Sequence, residues 1–291
     1  MTAARRAGLS SAAAATLQRP VRLAPSLLAL ALALAPRGAR AWCRTHSDAQ
    51  RDASACVTTG VPLFWGVRCI ALSLNASALP AGMSAGQVRG LLDAALGTWS
   101  AVRCEGRAPS VDLSQGAPTD AAPGYFSGVA NSNVVAFRAD WSAQGLPPSA
   151  IALTTVTYFA TTGEIRDADM LVNLTVPLSA NGTSRTNDLP TVFVHEVGHV
   201  LGLDHSIERS AVMWYGAGRG EQRRSLQPDD IAAVCAVHPP SLQRPCAVVA
   251  EDAGCSCRAP VGAASPPAAL AALVALTLRR RRPGGRRPSR C

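Results

Sequence analysis

The chain contains no lysine, so all 28 of its basic residues are arginine. We interpret this as a coding bias rather than as a binding feature. Six arginines lie within residues 1–41 and seven within residues 259–291, and neither region contains an acidic residue. The residues between them therefore carry a net charge of −4 within the formal total of +9. The positive total charge is thus no sign of a nucleic-acid partner, and none is expected.

No strongly apolar run reaches the roughly 20 residues that span a bilayer comfortably. Near the N-terminus, an apolar stretch over Leu23–Ala35 follows several arginines and precedes Ala39-Arg40-Ala41, an A-x-A cleavage site. This order predicts an export signal over residues 1–41, with the mature chain starting near Trp42. An uncleaved anchor is the alternative.

The C-terminal region has three consecutive parts. Cys255 and Cys257 precede a Pro/Ala spacer, an apolar stretch over Ala268–Leu278 and a terminal arginine cluster. This order resembles the C-terminal sorting signal of myxobacterial surface proteins (MYXO-CTERM). The resemblance implies a membrane segment within residues 259–291, cleavage by sorting machinery near Cys255 or Cys257, and a final location at the cell surface or outer membrane. A disordered low-complexity tail is the alternative.

Nine cysteines in an exported chain favour disulfides, and the absence of a C-x-x-C pair argues against a zinc–thiolate site. Six cysteines remain when Cys255, Cys257 and Cys291 are set aside, and these six allow fifteen pairings. Proximity along the chain favours three pairs, which are Cys43–Cys56, Cys69–Cys104 and Cys235–Cys246.

The strongest functional pattern is H-E-V-G-H-V-L-G-L-D-H, which spans His195–His205 and holds three of the five histidines. With this chain's own residue frequencies, the five fixed positions would occur by chance with a probability on the order of 10⁻⁶. Asp188 is predicted to cap a helix here, and Pro190 fits its first turn. Neighbouring apolar residues indicate that the helix is buried; these are Val192, Val194, Val197, Val200 and Leu201.

The spacing of this motif suits a catalytic metal site. On a helix, His195 and His199 project from the same face one turn apart and can reach one metal. Glu196 points about a quarter-turn away, where its carboxylate can take a proton from metal-bound water. Gly202 can adopt the left-handed conformation that ends a helix and returns His205 to the metal. Three imidazoles leave a fourth zinc position open, as catalytic zinc sites do.

The pattern H-E-x-x-H-x-x-G-x-x-H is the zinc motif of the metzincins, and the distance from His205 to Met213 resembles that of the matrixins, the branch that includes the matrix metalloproteases. Residues Gly163–Met170 resemble the sheet segment before the active-site helix of bacterial matrixins. Gln227–Ile231 resembles the start of their last helix. The likeness covers roughly Pro62–His238.

The resemblance implies a role for each motif residue. His195, His199 and His205 would bind zinc, Glu196 would be the general base, and Met213 would form an apolar floor beneath the metal. Matrixins usually carry proline two residues after this methionine. Here Tyr215 stands at that position, as in the astacin and serralysin branches, so either it binds the metal or stabilises the oxyanion, or it is a buried structural tyrosine.

The implied activity is that of a zinc metalloendopeptidase (EC 3.4.24 type), which hydrolyses peptide bonds in protein or peptide substrates with a zinc-activated water and Glu196 as base. One alternative is a surface binding module that keeps the fold and the zinc without relevant proteolysis, although the intact Glu196 argues against it. A second alternative is a metzincin of the astacin or serralysin branch, which zinc ligation by Tyr215 would favour.

The order of predicted elements fits an α+β metzincin catalytic domain, with a twisted mixed sheet, an active-site helix and a C-terminal helix. Predicted strands are Ile70–Leu74, Val134–Phe137, Ile151–Tyr158 and Met170–Val176. A capping box of Ser84 and Gln87 opens a helix, the last helix starts at Pro228, and Pro109–Gly128 is predicted as loop. The apolar face of the first helix comprises Val88, Leu91, Leu92, Ala95, Leu96 and Trp99.

Asp167 and Asp169 are candidate ligands for a structural calcium ion, as in acidic matrixin loops, or solvated turn carboxylates. The full division of the chain is a signal peptide over 1–41, a cysteine-containing N-terminal segment over 42–61, a matrixin-like metalloprotease domain over 62–240, a linker with the cysteine motif over 241–258, and a sorting or anchor segment over 259–291.

Overall fold

A computed structural model describes residues 41–48, 56–216 and 218–246. The strands are β1 (Cys43–Arg44), β2 (Phe64–Trp65), β3 (Cys69–Leu74), β4 (Asp112–Gln115), β5 (Asn133–Arg138), β6 (Ala152–Tyr158), β7 (Glu164–Asn173), β8 (Leu178–Ser179), β9 (Asn187–Asp188) and β10 (Leu203–Asp204). The helices are α1 (Ala85–Ser100), α2 (Leu189–Val200) and α3 (Pro228–Val237), with a 3₁₀ turn at Trp141–Gln144. Residues 1–40 of the signal peptide predicted over 1–41, the motif of Cys255 and Cys257 and the sorting segment lie outside the described residues.

The main sheet is mixed and has six strands. Strand β3 pairs in parallel with β4 and β5, and β5 pairs in parallel with the last four residues of β7. Strand β2 pairs in parallel with the first two residues of β7. Strand β6 is antiparallel to β7 and forms one edge. This mixed sheet with its helices agrees with the predicted α+β class.

Strands β3, β5 and β6 form within one residue of their predicted bounds, but two other predictions need correction. Strand β7 begins at Glu164 and ends at Asn173, whereas the apolar pattern predicted Met170–Val176. It ends there because Asn173 Oδ1 accepts a hydrogen bond from the Thr175 amide at 2.9 Å, which turns the chain. The predicted loop Pro109–Gly128 contains the short strand β4.

Helix α1 starts as predicted. The Gln87 amide donates to Ser84 Oγ at 3.3 Å, and Gln87 Oε1 accepts from the Ser84 amide at 2.8 Å, which completes the capping box. Five of the six predicted face residues are buried, and Leu91 is half-buried against the same core. This core also takes side chains from the sheet and from α2, so α1 supports α2 from the side.

Disulfides join Cys43 to Cys56, Cys69 to Cys246 and Cys104 to Cys235. The first pair is as predicted, and the predictions Cys69–Cys104 and Cys235–Cys246 are wrong. Helix α1 carries the chain away from Cys69, so that Cys104 meets α3 instead. The segment after α3 runs back to β3, where the Arg68 amide donates to the Pro245 carbonyl at 2.8 Å.

Within the described ranges, no helix has both the length and the apolar character needed to cross a membrane.

Candidate metal centre

Helix α2 begins at a doubly supported cap. Asp188 Oδ2 accepts hydrogen bonds from the Thr191 amide at 3.0 Å and from Thr191 Oγ1 at 2.7 Å, which confirms the predicted cap. Arg224 pairs with the same carboxylate through Nε at 2.9 Å and Nη2 at 2.5 Å. Pro190 lies in the first turn, where its missing amide proton costs no helical hydrogen bond.

Two buried indoles fix α2 against the rest of the domain. Trp99 Nε1 donates to the Val194 carbonyl at 2.8 Å, and Trp65 Nε1 donates to the Val200 carbonyl at 2.7 Å. Carbonyls at a helix C-terminus lack a helical partner, so the bond to Val200 satisfies one of them. The helix is therefore held at its middle and at its end.

The chain reverses after α2 as the motif predicts. Gly202 has φ +85°, a conformation that residues with a side chain adopt at a cost. Its carbonyl accepts from the Thr45 amide at 3.0 Å, and β10 then pairs with β1. This return places His205 opposite the two histidines on α2.

The side chains of His195, His199 and His205 converge, with potential ligand atoms all within 4.8 Å of one another. The Nε2 atoms of His195 and His199 are 3.1 Å apart. Nδ1 of His195 lies 2.7 Å from the Val212 carbonyl, and Nδ1 of His199 lies 2.9 Å from the Leu203 carbonyl. When Nδ1 carries the proton and donates to these carbonyls, Nε2 presents its lone pair to the shared centre. Three such imidazoles fit a zinc ion, so the triad could hold this metal.

Glu196 lies beside the triad in a cleft of about 330 Å³, and only 5% of its surface is exposed. Thr154 Oγ1, on β6, donates to Glu196 Oε2 at 2.6 Å. No pattern in the sequence points to Thr154 as a site residue. Strand alternation assigns Thr154 to one face of β6, but it cannot show that this face meets Glu196.

Met213 is 1% exposed and packs against Gly198, on the turn of α2 between the two helical histidines. The turn that contains it is held by α3. Asp230 accepts hydrogen bonds from the Val212 amide at 2.9 Å and from the Met213 amide at 3.1 Å. Burial raises the pKa of Asp230, while its bonds from backbone amides act in the opposite direction. Because Val212 also accepts from His195, Asp230 supports one histidine indirectly.

Tyr215 is 54% exposed, so the alternative of a buried structural tyrosine is wrong. Its ring centroid lies 6.1 Å from that of His205, and it lines the same cleft. Trp214 also lines the cleft, and the Arg223 guanidinium stacks on its ring at 4.8 Å. No pattern in the sequence assigns Trp214 to the site, because the residue lies next to Met213 and outside the histidine motif.

Asp167 and Asp169 lie in β7 and are 1% and 3% exposed, so they are not solvated turn carboxylates. Asp169 accepts from the Val134 amide at 2.7 Å and from the Gly124 amide at 2.5 Å. The pKa of Asp167 is raised to about 7. Burial is the largest cause, and the hydrogen bond to Asp169 and the negative charge of Asp169 act in the same direction. Among the described residues, neither carboxylate is part of a cluster of three or more potential metal ligands, and the calcium prediction has no support.

The fold and the three-histidine site together define a candidate metalloprotease domain. Residues 124–238 match the family model Peptidase_M10, Matrixin. The chain is similar to Metalloendoproteinase 1-MMP of Arabidopsis thaliana, with 32% identity over 108 residues that cover 37% of this chain and 30% of the relative. It is also similar to Metalloendoproteinase 5-MMP of the same plant, with 43% identity over 47 residues that cover 16% of this chain and 13% of the relative. These matches support a matrixin-like metalloprotease, although the chain spans less than a third of either relative.

Proposed function

We propose that this protein is a zinc-dependent endopeptidase that hydrolyses peptide bonds in extracellular or surface proteins. The observation that carries the proposal is the convergence of His195, His199 and His205 beside the buried carboxyl group of Glu196. Carbonyl partners for two Nδ1 atoms orient the rings, which is how protein groups around a zinc site usually fix its ligands. The matches to matrixins and to two plant metalloendoproteinases support the same function.

Glu196 would act twice in the reaction. It would accept a proton from the attacking water and later donate a proton to the leaving amine. Zinc, when bound by the three histidines, would lower the pKa of this water and polarise the scissile carbonyl. The low exposure of Glu196 keeps competing solvent away from the carboxylate.

The cleft suits an extended peptide. Residues 150–154, at the start of β6, line one wall of it. In the part of the sheet that the structure describes, β6 pairs only with β7, so its other edge offers backbone groups to a further strand. A substrate that adds to this edge would lie across the histidines, and binding through main-chain groups allows cleavage within a chain.

Tyr215 is proposed to stabilise the oxyanion that develops on the scissile carbonyl. Its exposure and its position beside His205 support this role. Removal of one such donor costs roughly 10²- to 10³-fold in kcat, so Tyr215→Phe should slow turnover without loss of zinc. Loss of zinc from this variant would instead indicate that Tyr215 is a ligand, as the second metzincin alternative requires.

The location proposed for this activity is outside the cytoplasm. The predicted signal over residues 1–41 supports export, and the resemblance of the C-terminal region to a MYXO-CTERM signal supports retention at the cell surface after processing near Cys255 or Cys257. Three disulfides agree with an oxidising compartment.

The purified protein should cleave a denatured casein substrate, and 1,10-phenanthroline should stop the cleavage until zinc is restored. Glu196→Ala should keep one zinc per chain and lose roughly 10²-fold or more in kcat. Asp93→Ala, which removes an exposed carboxylate on α1, is the control. Wild-type turnover by Glu196→Ala, or cleavage that persists in chelator, would refute the proposed function.

A further inference from the structure

We propose that Thr154 is a positioning residue that holds the carboxylate of Glu196 in its working orientation. This inference rests on the proposed function, in which Glu196 is the general base. Thr154 Oγ1 lies 2.6 Å from Glu196 Oε2 and 3.4 Å from the Glu196 carbonyl oxygen. A hydroxyl has one proton to donate, and the shorter distance assigns this proton to the carboxylate.

The contact has the geometry of a strong hydrogen bond. Oxygen–oxygen distances of about 2.5–2.7 Å are typical of a hydroxyl that donates to an ionised carboxylate. Thr154 and Glu196 are 3% and 5% exposed, so water competes little for either group. The bond is therefore stronger than the same contact at the protein surface.

Both ends of this hydrogen bond are fixed by the fold. Thr154 pairs with Met170 of β7, which sets its backbone, and the branched side chain of threonine has few rotamers. Glu196 is fixed on α2 by the cap at Asp188 and by the indole of Trp99. The terminal torsion of a glutamate is otherwise broad, so the Thr154 hydroxyl removes the rotation that the helix leaves open.

This arrangement links the base to the wall of the cleft. Thr154 belongs to the part of β6 that lines the cleft, and the three histidines line the same cleft. The hydroxyl therefore sets the distance between the carboxylate and the strand along which a peptide is proposed to lie. A carboxylate free to rotate would spend less time directed at the attacking water, and misplacement by about 1 Å is enough to slow catalysis strongly.

The neighbouring Thr155 provides a matched control. It is exposed, and the alternation of strand side chains directs it away from the face that carries Thr154. Thr155→Val makes the same chemical change as Thr154→Val one position along the same strand. The two variants therefore separate the hydrogen bond from any general effect of valine on β6.

The test uses the full chain with zinc and one fluorogenic peptide, and it measures kcat, KM, zinc content and thermal unfolding. Thr154→Val should lower kcat roughly 10- to 10²-fold, since it removes part of the contribution of a general base. KM should stay within about twofold and zinc content at the wild-type value, because an orienting bond acts in the chemical step. Thr154→Ser should recover most of kcat, and Thr155→Val should match the wild type.

A second pair of variants covers the case in which valine does not fit the site. Serine and alanine at position 154 both lack the Cγ2 methyl group of threonine and differ from each other only in the hydroxyl. The kcat of Thr154→Ser should therefore exceed that of Thr154→Ala. Equal kcat for these two variants, or wild-type kcat for Thr154→Val, overturns the positioning role. Glu196→Ala in the same assay separates the inference about Thr154 from the proposed function. If Glu196→Ala is inactive while Thr154→Val is fully active, only the inference about Thr154 fails. If Glu196→Ala is active, the proposed function fails.

Discussion

Gly198 and Met213 are packed so closely that a Cβ atom at position 198 would overlap the Met213 sulfur. The same Cβ would lie 3.0 Å from the Trp99 ring, so neither neighbour leaves room for it. This glycine lies between His195 and His199 in the sequence of α2. Its lack of a side chain therefore allows the methionine turn to contact α2 at the turn that carries the two candidate ligands.

Gly198→Ala should displace Met213 and lower zinc affinity. Overpacking of a filled core costs roughly 1–3 kcal/mol, and we expect this loss in the free energy of unfolding. Urea unfolding and zinc titration measure the two effects. Gly90→Ala is the control, because position 90 is an exposed site on α1 with open space around it, and alanine there should stabilise the protein by up to about 1 kcal/mol. If Gly198→Ala and Gly90→Ala have the same free energy of unfolding and the same zinc affinity, the role of Gly198 is contradicted.

The cap of α2 gives a second prediction. The Asp188 side chain is fully buried, and it receives two hydrogen bonds from Thr191 and an ion pair from Arg224. Asp188→Ala should cost about 2 kcal/mol or more in the free energy of unfolding, because it removes a helix cap and leaves buried donors unsatisfied. Arg224→Gln should cost less, since its side chain is 39% exposed. Chemical denaturation measures the free energy of unfolding of both variants. A larger loss for Arg224→Gln than for Asp188→Ala would contradict the prediction.

The raised pKa of Asp167 predicts how the stability of the protein depends on pH. Its pKa is about 7 in the folded chain against 3.8 for an ordinary aspartate, so the folded state holds this proton more tightly than the unfolded state. Its contribution to stability is present below about pH 4 and is lost as the pH rises toward 7. Asp167→Asn should therefore gain stability relative to the wild type between pH 4 and pH 8, by at most a few kcal/mol.

Urea unfolding of the wild type and of Asp167→Asn at pH 4.5, 6 and 8 tests this dependence. Asp120→Asn, which changes an exposed carboxylate, is the control for general effects of charge. A constant difference between Asp167→Asn and the wild type at all three pH values would show that the environment of Asp167 is not as described.

The three disulfides should differ in their contribution to stability. Cys43–Cys56 spans 13 residues and Cys104–Cys235 spans 131. In the loop-entropy model, the longer loop contributes about 2 kcal/mol more. The test replaces both cysteines of one pair by alanine and measures the midpoint of thermal unfolding. This midpoint should fall further for Cys104–Cys235 than for Cys43–Cys56. A greater loss for Cys43–Cys56 would show that native contacts outweigh chain entropy here.

Sequence patterns predicted those parts of the site that are encoded by neighbouring residues. The spacing of His195, His199 and Gly202 is a property of one helix and its end, and Asp188 caps that helix three residues from its partner Thr191. Such short-range relations depend on the geometry of a single element, which is the same in every protein. The helix, its direction and its turn could therefore be derived before any tertiary structure was known.

Relations between distant segments could not be derived in this way. Cys69 meets Cys246 because the chain after α3 returns to β3, and nothing near either cysteine encodes that return. Strand β4 has a short, half-exposed pattern that resembles a loop, and its pairing with β3 is what makes it a strand. Thr154 is an ordinary strand residue until α2 is placed beside it.

The indoles of Trp65 and Trp99 hold α2 through hydrogen bonds that involve no metal. The Val212 and Leu203 carbonyls likewise orient two of the histidines through contacts within the protein. Zinc would thus meet a preorganised set of ligands, and little of its binding free energy would be spent on ordering the chain. Loss and return of the metal should accordingly switch the proposed peptidase activity off and on while the fold remains intact.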